Sequence, residues 1–88
     1  MIEKEVTVQN RAGVHARPAT LIAQKANKFA SDILIIKGEK TYNAKSVIGV
    51  MTMAASYNTT LMLRVEGVDE NDAAEAIEEL FNLKFEED

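Results

Sequence analysis

The chain has 88 residues, a net charge of -4 and no cysteine. A chain this short buries only about 60–65% of its extended surface on folding. It is therefore expected to form one domain, residues 1–88, with a thin core and no deep cleft for a cofactor. Without cysteine there is no disulfide, zinc-thiolate or iron–sulfur chemistry, and a single histidine leaves no metal site at ligand spacing. Met1 to Glu5 shows no apolar signal region behind a basic stretch, and no apolar run reaches the ~20 residues of a membrane span. A cytoplasmic protein that works on an open surface is expected. The charge is uneven: residues 69–88 carry nine acids and one base, while residues 1–68 carry nine bases and five acids. The acidic run argues against nucleic acid as a partner, since that requires a basic face.

In chain order, Ile2, Val6 and Val8 among charged and polar neighbours predict a strand near residues 2–8. Asn10 to Gly13 is turn chemistry. A helix follows from Ala16 to about Asn27, with an apolar stripe of Ala19, Ile22, Ala26 and Phe29. Pro18 lies in its first turn, where a missing N–H costs little. Residues 33–36, all aliphatic, predict a second strand, and Thr41 to Asn43 returns from it as a hairpin. Ser46 reads as the N-cap of a short helix, Val47 to Met53. Leu61, Leu63 and Val65 alternate along a fourth strand, Thr60 to Glu66. The last helix runs from Asn71 to Leu83 with Ala73, Ala74, Ile77, Leu80 and Phe81 inward, and acids crowd its start, where they suit the dipole. The order βαββαβα predicts an α+β open-faced two-layer sandwich: a four-stranded antiparallel sheet with three helices on one face.

His15 is the residue on which chemistry converges. It stands directly before a helix, between Gly13-Val14 and Ala16-Arg17-Pro18. Neutral imidazole is a competent nucleophile near pH 7. A helix start offers backbone N–H groups and the positive end of the dipole, so the amides of Ala16 and Arg17 suit a phosphoryl group. The Arg17 guanidinium adds a fixed two-pronged donor. Gly13 is expected to allow close approach of a protein donor. Nothing nearby in sequence supplies an acid to orient His15. Residue types alone leave a competing reading: a small-molecule-binding regulatory domain in which His15 only caps a helix. Phosphohistidine is lost in acid and phosphoserine survives, which separates the two.

The stretch Gly13-Val14-His15-Ala16-Arg17-Pro18-Ala19-Thr20 resembles the active-site signature of the HPr family, phosphocarriers of the bacterial phosphoenolpyruvate-dependent sugar phosphotransferase system. About 30 residues further on, Lys45-Ser46-Val47-Ile48-Gly49-Val50-Met51 resembles the family's regulatory-serine box. The resemblance covers the whole chain. It implies a covalent relay without a cofactor, not an enzyme that turns over a small substrate. Enzyme I would phosphorylate Nδ1 of His15, Arg17 would meet the phosphoryl group, and the enzyme II A components would receive it. Ser46 would be the target of the HPr kinase/phosphorylase, with a catabolite-control transcription regulator as a further partner. Ala12 and Ala44 depart from residues frequent in the family, without touching His15 or Arg17. A nitrogen-regulatory phosphocarrier paralogue shares the histidine motif and stays open at this point. Ile48 and Met51, three apart on a helix apolar almost all round, are expected to form an exposed partner-binding patch. No membrane partner and a monomeric state are expected.

Overall fold

The computed structural model of the protein describes residues 1–87. Its strands are β1 (Ile2–Thr7), β2 (Asp32–Lys37), β3 (Lys40–Asn43) and β4 (Thr60–Glu66). Its helices are α1 (Ala16–Ala26), α2 (Val47–Met53) and α3 (Glu70–Asn82), and a single 3-10 turn follows at Lys84–Glu86. The strands form one sheet in the order β1-β4-β2-β3, antiparallel throughout. This is the α+β sandwich expected from the alternation of elements.

Period-2 alternation decides which face of the sheet is covered. Val6 pairs with Leu61, and Leu63 pairs with Lys4 on one side and Ile35 on the other. Val6, Ile33, Ile35, Leu61, Leu63 and Val65 are all buried under the helices. Lys4 lies in this inner row at the sheet edge, where its stem covers apolar surface and its ammonium meets Glu78 of α3 at 3.0 Å. The opposite face carries Glu3, paired with Arg64 at 2.8 Å.

The helices bury the stripes that their spacing dictates: Ala19, Ile22, Ala23 and Ala26 from α1, and Ala73, Ala74, Ile77 and Phe81 from α3. Phe29 and Leu80, both expected inside, are half-buried at the margin of this core. Element ends move by a residue or so: β1 stops at Thr7, α1 at Ala26, and α3 spans Glu70–Asn82. The larger departure is the turn at Lys84–Glu86, which sequence periodicity does not signal. Lys84, Phe85 and Glu86 all have left-handed backbone, with φ of 55°, 54° and 61°. Such conformations cost roughly 1–2 kcal/mol per residue outside glycine. Burial of Phe85, packed edge-on against Phe81 at 4.9 Å between ring centroids, offsets that cost.

Candidate phosphoryl-transfer site

His15 is the N-cap of α1, with extended backbone (φ -92°, ψ -162°). Its carbonyl accepts the first helical bond, from the Ala19 N–H at 3.0 Å, which leaves the Ala16 and Arg17 amides at the unpaired start of the helix. Pro18 follows with no N–H to offer. The imidazole makes no capping bond, so the premise of the competing reading fails. The ring is exposed instead, and its Nε2 lies 3.0 Å from Oε1 of Glu87.

Glu87 is the centre of a small polar knot. Its Oε1 also accepts from Nδ2 of the fully buried Asn10 at 2.8 Å, and its Oε2 accepts from Nη1 of Arg17 at 3.2 Å. The same Arg17 nitrogen donates to the Phe85 carbonyl at 2.7 Å. Asn10 Nδ2 further donates to the Gly13 carbonyl at 2.6 Å, tying the loop before α1 to the tail. These hydrogen bonds hold the Glu87 carboxyl below the usual carboxylate range, that from Asn10 foremost, then those from His15 and Arg17.

Ser46 caps α2: its Oγ accepts from the Gly49 N–H at 3.0 Å. A Cβ on Gly49 would lie 3.2 Å from that oxygen, so glycine leaves the cap its room. Asn43 Oδ1 accepts from the Lys45 N–H at 2.9 Å, and the Lys45 ammonium reaches the Phe29 carbonyl at 2.8 Å beyond the end of α1. From α2, Ile48 (78% exposed) and Met51 (43%) face solvent, while Val50 and Met53 are buried. Helix α2 packs on α1, the helix that begins at His15.

A family profile described as PTS HPr component phosphorylation site matches residues 2–82. The chain belongs to the HPr family. The phosphocarrier protein HPr of Treponema pallidum is 54% identical over 88 residues, with all of both chains covered. A crystal structure of HPr from Thermoanaerobacter tengcongensis superposes with a TM-score of 0.95 at 41% identity, covering 100% of this chain and 99% of that one. An HPr dimer from the same organism superposes at 0.74 with 42% identity, covering 97% and 98%. No helix among the described residues is long and apolar enough to cross a membrane.

At Gly13 and His15 the structure differs from what the sequence alone predicts. Gly13 does not leave room for an outside donor. It is buried with φ +76°, and a Cβ there would meet the Ala55 carbonyl oxygen at 2.7 Å. Glycine is needed because the loop presses on residues 55–56 of the same chain. An acid does reach His15, from a residue 72 positions away. Glu87 was hidden in an acidic run whose ordinary role is a solvated surface. One signal pointed toward it: Phe85, a large apolar residue past the end of α3, has to be buried somewhere.

Proposed function

We propose that residues 1–88 act as a single, monomeric, cytoplasmic phosphocarrier domain. His15 accepts a phosphoryl group on Nδ1 from phosphorylated enzyme I and passes it to the enzyme II A components. The observation that carries this reading is the exposed His15 ring at the α1 N-cap, left out of capping and set beside Arg17. The Ala16 and Arg17 amides and the dipole end of α1 supply fixed positive potential for a transferring phosphoryl group. Arg17 adds a cation held in place by the Phe85 carbonyl, and it serves most where charge is greatest, in the transition state.

Ile48 and Met51 are the surface by which enzyme I and the enzyme II A components are met, and their exposure supports this use. Ser46 is a second phosphorylation site, for the HPr kinase/phosphorylase. A phosphate there brings about -1.5 to -2 charges beside that apolar patch. This penalises enzyme I and favours a partner with basic groups, such as a catabolite-control transcription regulator. The relay is tested by incubating wild type and His15→Ala with phosphoenolpyruvate and enzyme I. Wild type is expected to take up acid-labile phosphate, and a folded His15→Ala protein none. Undiminished labelling of His15→Ala overturns the assignment.

A further inference from the structure

Resting on the phosphocarrier reading, we propose that Glu87 is a positioning residue for His15. It holds the ring proton on Nε2 and so presents the lone pair of Nδ1 to the incoming phosphorus. An ionised carboxylate only accepts hydrogen bonds. With Glu87 Oε1 at 3.0 Å from Nε2, that nitrogen must be the donor. In neutral imidazole the other nitrogen then carries the lone pair.

Glu87 is not placed by a floppy surface contact. Asn10, His15 and Arg17 all donate to its two oxygens. Behind it, the left-handed turn at Lys84–Glu86 is pinned by the buried Phe85 ring and by Arg17 on the Phe85 carbonyl. A backbone in so uncommon a conformation persists only where its surroundings over-determine it. The neighbouring Glu86, 3.9 Å from Arg17 Nη2, is beyond hydrogen-bond reach and mostly exposed. The pair with His15 is partly solvated, so its worth in stability is small. Its effect lies in the direction of the proton.

In the forward step the Nδ1 lone pair forms a bond to phosphorus. The bond from phosphorus to the donor's ring nitrogen breaks, and its electron pair returns to the donor imidazole. The Nε2 proton stays on His15, whose ring becomes a phosphorylated imidazolium, and Glu87 offsets the new positive charge. Onward transfer reverses this at His15: the electron pair of the P–N bond returns to Nδ1, and Nε2 keeps its proton.

The test uses the intact chain as wild type, Glu87→Gln, Glu87→Ala and, as a control, Glu86→Gln. Two-dimensional 15N NMR at alkaline pH reads the His15 tautomer, and single-turnover transfer from phosphorylated enzyme I reads the chemistry. The ring proton is expected on Nε2 in wild type and Glu86→Gln, and shared between both nitrogens in the two Glu87 variants. Transfer is expected to slow about tenfold in the Glu87 variants, the scale on which a partner that orients a histidine through its second nitrogen acts. The apparent KM for enzyme I and the melting temperature should change little. An unchanged tautomer overturns the proposal, as does an unchanged rate. Faster transfer also overturns it, and would make Glu87 an occupant of the phosphoryl position. If wild type accepts no phosphate at all, the relay reading fails, while the tautomer still decides whether Glu87 orients His15.

Discussion

The two positions proposed for phosphorylation, Ser46 and His15, are built in opposite ways. Ser46 caps α2 by accepting from the Gly49 N–H, three residues on, and in its loop Asn43 accepts from the Lys45 N–H. His15 draws on Asn10, Arg17 and a tail residue 72 positions away, and the loop before it rests on Ala55. The cap itself in the first arrangement closes within four residues, and Lys45 then ties the same loop to the Phe29 carbonyl. The second exists only when the whole sandwich is assembled. Local capping suits a residue to be modified where it stands. Long-range assembly suits the nucleophile proposed at His15, whose tautomer and cation would be set together.

The largest effect expected from breaking this contrast is at Phe85. Phe85→Ala empties a fully buried ring position and should cost about 3–5 kcal/mol of stability, read from denaturant unfolding. In the folded fraction, amide shifts should move at Asn10 and His15 and stay fixed at Gly49. Movement at Gly49 would show that the two sites are coupled.

At Ser46 a smaller change is expected. Ser46→Ala should lose about 0.5–2 kcal/mol, the usual worth of an N-cap, and leave transfer to His15 at the wild-type rate. Ser46→Asp should keep the stability and weaken transfer from enzyme I. Equal kinetics for all three proteins would reduce Ser46 to a cap.

The smallest effect concerns Asp69, which tethers the start of α3 to the loop before β2. It accepts from the Ala30 and Ser31 amides at 2.8 and 2.9 Å, and from the Ser31 hydroxyl. The Ser31 hydroxyl foremost, then the Ala30 amide, holds its carboxyl below the ordinary range. A depressed carboxylate pKa contributes stability above the unfolded value, about 3.9, and loses it as pH falls through the folded value. The melting-temperature gap between wild type and Asp69→Asn should therefore be widest at neutral pH and narrow below about pH 4. A gap independent of pH would show that the tether does not depend on charge. Glu70 and Glu87 are depressed in the same sense and persist in both proteins, so they cancel in the difference.

What could be read from the sequence follows the same division. Alternation at Leu61, Leu63 and Val65 marks a half-covered strand without reference to anything distant, as does the Ser46 cap for α2. The start of α1 is written in His15 to Pro18. The Lys84–Glu86 turn lacks the glycine or asparagine that usually betrays left-handed backbone. Its stabilisation comes from Phe81 and Arg17, which are remote in sequence or on another element. Glu87 is chemically indistinguishable, in sequence, from the acids around it. Only the path of the chain over Asn10 and His15 singles it out.

The separation between His15 and Glu87 also has a meaning in time. Protein synthesis runs from the amino end, so the ribosome makes His15, Arg17 and the α1 start long before residue 87. A nascent chain that has completed only β1 and α1 holds the motif without the carboxylate that meets His15 Nε2 in the finished fold. On the proposal made for Glu87, a chain that ends between α3 and residue 87 keeps the signature histidine and leaves its ring proton undirected.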